Sequence, residues 1–227
     1  MKHIEKHFKA PGMLRDIIIG MSDGLTVPFA LAAGISGAVA NTDLVVTAGF
    51  AEIAAGSIAM GLGGYLAGKS DMDHFIAEEQ LEWDEVKNKR EVEKEEVSIV
   101  FKEYGLSEAQ IAPILEHFDK NEQSWVDFMM RFELGLDKPV KGRALKSAAT
   151  IGISYIVGGI IPLAPYLIFP SPHEALLVSV IATLIALTVF GYVKGTFMGH
   201  PFKSAYQTVL IGGIAAGVAY TIAKFIA

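Results

Sequence analysis

Five apolar runs, at roughly 16–40, 44–68, 145–169, 175–197 and 205–226, alternate with short polar breaks, and one polar stretch, 71–140, separates the second run from the third. At 1.5 Å rise per residue each run is long enough to cross about 30 Å of hydrocarbon as a helix. Between Leu66 and Phe101 there is no Pro, and the last Gly is Gly68. The pattern therefore predicts one helix that continues out of the second span to about Tyr104, where Gly105 supplies a stop. Ser107 followed by Gln110 predicts a capped second helix, and a third is expected from near Asn121 to Gly135, ahead of Pro139. The expected fold is all-α, a five-helix transmembrane bundle with a three-helix domain inserted between spans two and three. Its parts are 1–70 (helices one and two), 71–140 (an acidic domain) and 141–227 (helices three to five).

Composition agrees with a membrane protein: 52% of the 227 residues are hydrophobic and the mean hydropathy is +0.40. The first span, about 25 residues behind a basic head and answered by a second full span, reads as a retained helix and not a cleaved signal. Cysteine is absent, which excludes disulfides, thiolate metal sites and cysteine nucleophiles.

Charge sets the orientation. Lys2, Lys6, Lys9, Arg15, Lys69, Lys141, Arg143, Lys146, Lys194 and Lys203 flank the spans on one side, whereas the turns 41–43 and 171–174 carry no Lys or Arg. The basic side is expected to be cytosolic, and it holds the N-terminus and residues 71–140; Lys224 alone dissents. Residues 71–140 contain 19 Asp and Glu against 8 Lys and Arg, net −11, leaving +5 for the remainder. Such a domain concentrates cations and repels nucleic acid.

Within it Glu82, Glu85, Glu93 and Glu96 occupy one arc of roughly 80° on an ideal helix. The two i,i+3 pairs have centres roughly 16 Å apart on a straight helix, too far for one ion, so several cations are expected. Met129, Met130 and Glu133 share a face of the third helix and combine sulfur with carboxylate, a donor set that favours transition metals over Mg²⁺. The same stripe also reads as a solvated, salt-bridged face, because Lys89 lies inside it within reach of Glu85 and Glu93. In the spans, Asp23 lies roughly 10 Å from the cytosolic side, Met60 falls near its depth, and Glu52 sits deeper; Pro28 removes a backbone donor close by. Intramembrane carboxylates point to an ion or proton path. The competing reading keeps them neutral against neighbouring hydroxyls, Ser22, Thr26 or Ser57.

The run Asp16–Gly34 (DIIIGMSDGLTVPFALAAG), the stretch Met60–Ser70 (MGLGGYLAGKS) and Phe128–Leu136 (FMMRFELGL) resemble the vacuolar iron transporter family over almost the whole chain. The resemblance implies a homodimer that exchanges cytosolic Fe²⁺ for protons, with Asp23, Glu52 and Met60 lining the path. It further implies a cytosolic metal-binding domain built on Glu82, Glu85, Glu93, Glu96, Glu133, Met129 and Met130. The expected role is proton-coupled antiport, not enzymatic catalysis. Fe²⁺ is the first expected substrate, with Mn²⁺, Co²⁺ and Zn²⁺ compatible with the same ligands. The membrane would be vacuolar in a eukaryote and the plasma membrane in a prokaryote. A membrane-anchored iron buffer or a ferroxidase is the alternative, but the Glu-x-x-His pairs of ferritin-like centres do not occur.

Overall fold

The computed structural model describes residues 11–37 and 39–226. Its helices are α1 (Pro11–Ser36), α2 (Asp43–Asn88), α3 (Arg90–Glu103), α4 (Glu108–Lys120), α5 (Glu122–Phe128), α6 (Arg143–Ile168), α7 (Pro172–Phe197) and α8 (Pro201–Ile226), with no strand among the described residues. Five of them, α1, α2, α6, α7 and α8, are long and apolar enough to cross a membrane. The chain divides into two compact units: the described parts of Met1–Leu66 with Ala144–Ala227, and Ala67–Arg143. We call them the apolar and the acidic unit.

In the apolar unit, helices approach closely where side chains are missing. A Cβ on Gly24 of α1 would fall 2.9 Å from the Tyr155 backbone of α6, and one on Gly158 would fall 3.0 Å from the Gly24 carbonyl carbon. Similarly, a Cβ on Gly191 would meet Ala205 at 2.8 Å and one on Gly195 would meet Pro201 at 2.6 Å, so the GxxxG of α7 seats α8 of the same chain. Pro28 gives no N–H to the Gly24 carbonyl, yet α1 runs on through it to Ser36. Large apolar side chains including Ile58, Leu62, Ile153, Ile185 and Ile211 are exposed, the surface composition that lipid accepts.

The acidic unit departs from expectation first in its long helix. The single helix expected to reach Tyr104 is broken at Lys89 (φ −128°, ψ 35°), dividing it into α2 and α3. Lys and Arg are good helix formers, so local propensity does not account for the break. Tertiary contacts do: Arg90, first residue of α3, donates Nε–H to Asp119 Oδ1 (2.8 Å), Nη1–H to Glu122 Oε1 (2.7 Å) and Nη2–H to the Asp119 carbonyl (2.7 Å). Its guanidinium also lies 5.2 Å from the Trp125 ring centroid. Arg90 and Lys94 together hold the Asp119 carboxyl below the usual carboxylate range.

The expected punctuation is present. Gly105 takes φ +83° after α3 and Gly135 takes φ +66°, the left-handed values that end helices. Ser107 N–H donates to the Gln110 side chain at 2.9 Å, as a capping box requires. The third expected helix starts with an Asn121 cap on the Ser124 N–H but does not reach Gly135 as an α-helix. It becomes a π-helical turn at Met129–Glu133. Phe75, Val86, Val97, Phe118, Trp125, Val126, Met129 and Met130 form the unit's core.

Because Arg90 ties α3 to α4 and α5 through three charge-assisted bonds, Arg90→Ala is expected to destabilise the acidic unit by roughly 1–3 kcal/mol, discounted for partial solvent screening. Both tryptophans of the chain, Trp83 and Trp125, lie in this unit. Their fluorescence during thermal melting of the full chain reads the loss directly, and an unchanged midpoint would deny the clamp its role.

Candidate ion path and candidate metal-capture site

Asp23 on α1 is half-buried and lines a cleft of about 490 Å³ with Ser22, Thr26, Leu187, Lys194, Gln207 and Thr208. Two of the neighbouring hydroxyls donate elsewhere. Thr26 donates to the Ser22 carbonyl at 2.8 Å and Ser57 to the Ala54 carbonyl at 3.1 Å, both spent on their own helix backbones.

Glu52, on α2, finds a different partner. Its Oε1 accepts a short hydrogen bond from the Tyr155 hydroxyl of α6, while Oε2 is buried and has no partner among the described residues. Tyr155 is 2% exposed and lies within electrostatic reach of both Glu52 and Asp23. It packs where α1 and α2 both carry glycine: a Cβ on Gly56 would collide with its ring, 2.5 Å from Cζ, and Gly24 abuts its backbone. The phenol thus fixes Glu52 by a hydrogen bond and meets Asp23 only through its charge. Sequence reasoning missed it; the available signal was a Tyr four residues after Ile151 and three before Gly158-Gly159, inside an otherwise apolar span. Met60 is half-buried on α2 and is not one of the residues lining the Asp23 cleft.

In the acidic unit the break at Lys89 changes the geometry of the glutamates. On one straight helix Glu82 and Glu96 would lie roughly 21 Å apart. Instead Glu82 is influenced electrostatically by Glu133, Glu85, Glu96 and Glu78, and Glu93 by Glu96, Glu82, Glu85 and Glu133. The two pairs therefore lie within electrostatic range of each other in one cluster, which Glu133 joins and to whose edge Glu78 belongs. The expectation of one straight helix holding the two pairs roughly 16 Å apart is corrected by the break at Lys89.

Glu82 and Glu93 are 5% and 1% exposed, and each has a buried Oε2 without a hydrogen-bond partner among the described residues. Burial, then the neighbouring carboxylates, pushes Glu82 up to about 7 and Glu93 up to about 8. Burial followed by Glu96 and Glu85 also raises Glu133. A buried carboxylate without a partner is costly unless it holds a proton or a cation. Glu85 is more exposed and accepts from Lys89 at 2.7 Å, so the internal cation expected at the stripe is paired at its rim. Met129 and Met130 are buried (0% and 3% exposed) in the apolar core beside Val97 and Trp125. Among the described residues no three His, Asp or Glu side chains converge closely enough to form a finished metal site. The carboxylates face one another at electrostatic range, in a segment whose π-turn changes the angular phase of Met130 and Glu133 relative to an α-helix.

The amino-acid sequence matches known proteins. Residues 14–224 match the model of the VIT family. The chain is 53% identical over 225 residues to Vacuolar iron transporter 1 of Arabidopsis thaliana, covering 99% of this chain and 90% of that protein. It is 53% identical to Vacuolar iron transporter 2 of Oryza sativa (98% and 91% covered). With Protein CCC1 of Saccharomyces cerevisiae identity is 37% over 95% of this chain and 70% of that protein. The family match reaches all five apolar helices and takes in Asp23, Glu52 and the glutamates of the acidic unit; this membrane protein belongs to the VIT family.

Proposed function

We propose that the protein is a proton-coupled antiporter that moves Fe²⁺ out of the cytosol across a membrane, working as a homodimer. Related divalent ions, Mn²⁺ first, share its path. Iron transport across a membrane follows the relatives' names, and those names point to the vacuolar membrane as the location. The observation that carries the coupling is Glu52, half-buried in an apolar span with one oxygen held by Tyr155 and the other buried without a partner among the described residues. In low dielectric such a group takes up either a proton or a cation, so metal arriving from one side displaces a proton acquired from the other.

In this reading Glu82, Glu85, Glu93, Glu96 and Glu133, with Met129 and Met130 swinging from the core, capture ions on the cytosolic face. The three-helix acidic domain acts as an antechamber, and its net −11 charge concentrates cations there. Asp23 and Met60 receive the ion and Glu52 passes it on. The excess of Lys and Arg in the flanks on one side supports a cytosolic N-terminus and a cytosolic acidic domain. The proton gradient supplies the driving force, so the protein needs no nucleotide and performs no enzymatic reaction.

Sealed proteoliposomes with an imposed pH gradient test the proposal. Fe²⁺, kept reduced, is expected to accumulate inside the vesicles as protons leave. Metal that binds but never crosses the bilayer would instead identify a membrane-anchored buffer, and consumption of Fe²⁺ with oxygen a ferroxidase.

A further inference from the structure

A lysine lies in the same cleft as Asp23. Lys194 is on the last turn of α7, a position from which long cationic side chains ordinarily reach out to the membrane surface. Here the side chain turns the other way. Its ammonium donates to Thr208 Oγ1 at 3.0 Å and lies 5.8 Å from the Phe190 ring centroid. Thr208 is seven residues past the start of α8, roughly 10 Å along the helix, which is about the depth expected of Asp23. The threonine is 8% exposed, and its own proton is committed to the Ser204 carbonyl at 2.8 Å, leaving its oxygen to accept from the lysine. The Cβ position of Gly191 lies 2.9 Å from Thr208 Oγ1, so the missing side chain is what admits α8 to this contact.

Asp23 and Lys194 are the two ionisable residues lining the cleft; Ser22, Thr26, Gln207 and Thr208 supply its neutral polar wall. We propose that Lys194 is the resident cation of this cleft. It offsets the Asp23 carboxylate while the path is free of metal, opposes binding of a divalent ion, and thereby sets the affinity for metal and the rate at which metal leaves. The proposal rests on the transport reading above. A positive charge in the same cleft as the binding carboxylate weakens metal binding and speeds release, because like charges in a poorly solvated cleft repel more strongly than in water.

Initial rates of Fe²⁺ uptake in proteoliposomes, measured over a range of metal concentration, separate charge from packing. Lys194→Met is expected to lower KM about tenfold and to lower kcat as well, because metal is held more tightly and released more slowly. Lys194→Arg keeps the charge and is expected to retain the wild-type KM. Thr208→Val, which removes the hydrogen bond but leaves the ammonium, is expected to shift KM far less than Lys194→Met. A Lys194→Met protein with unchanged or raised KM overturns the proposal. So does a Lys194→Arg protein that shifts KM as far as Lys194→Met, since the residue would then act through its packing. A wild-type protein that carries no metal would overturn the transport reading, and this proposal with it.

Discussion

Glu52→Gln is expected to cut Fe²⁺ uptake into proteoliposomes by about 100-fold or more, the scale of losing one buried charge interaction worth roughly 3 kcal/mol. The amide keeps the volume and can still face Tyr155, so packing survives while the ability to exchange a proton for a cation is lost. Asp23→Asn is expected to fall in the same range. The two differ in what remains: Asp23→Asn leaves Glu52 and its Tyr155 partner intact, and proton movement through Glu52 need not stop with it. Tyr155→Phe leaves both carboxylates in place and removes the hydroxyl that fixes Glu52. A loss of about 3- to 10-fold is expected, the worth of one ordinary hydrogen bond at roughly 0.7–1.4 kcal/mol. Uptake and proton counterflow measured together decide the matter. If Glu52→Gln transports at the wild-type rate, Glu52 is not on the path.

Much of this architecture was legible in the sequence because it depends on local chemistry. Runs of apolar residues give five membrane-length helices, Gly105 and Gly135 end helices at positive φ, and Ser107 with Gln110 caps α4. The membership of Glu82, Glu85, Glu93, Glu96 and Glu133 in one electrostatic cluster was legible as a list of residues but not as a geometry. The break at Lys89 has no local signal, since Asn88-Lys89-Arg90 contains no Pro or Gly. It follows from Arg90 reaching Asp119 and Glu122, 29 and 32 residues away. The same limit applies to Tyr155, which meets Glu52 across 103 residues of sequence, and to Lys194, whose position suggested a surface charge. In each case the informative contact is between helices, and helical periodicity says which face a residue occupies without saying what it faces. Ser22, Thr26 and Ser57 were the nearest hydroxyls by spacing, but a helical Ser or Thr has its own backbone carbonyl closer still.

The second large effect is expected at Glu82 and Glu93, and it runs in opposite directions for metal affinity and for stability. Burial and neighbouring carboxylates raise them to about 7 and about 8, against an unfolded value of 4.5. Between about 4.5 and those values the folded chain holds protons that the unfolded chain has already lost, so folding binds protons and stability falls as pH rises. The contribution is fully present below about 4.5 and has gone once pH passes about 8. Tryptophan-detected melting of the full chain should therefore fall progressively from pH 5 to pH 8.5 when no metal is added. Glu93→Gln, which carries the protonated shape permanently, should flatten that decline and raise the melting point at pH 8 by several degrees while changing little at pH 5. Metal binding has the reverse dependence: the carboxyls must lose their protons to accept a cation, so affinity for Fe²⁺ should rise with pH through this window and binding should release protons. Anaerobic titration by calorimetry in two buffers of different ionisation enthalpy counts those protons. Glu93→Gln should weaken binding at pH 7.5 about tenfold or more, removing one charged ligand and one released proton together. The cluster is not the capture site if Fe²⁺ affinity is flat from pH 6 to 8.5 and unaffected by Glu93→Gln, whereas added Fe²⁺ that restores the wild-type melting point at pH 8 and leaves Glu93→Gln unmoved ties both halves of the effect to the same carboxylate.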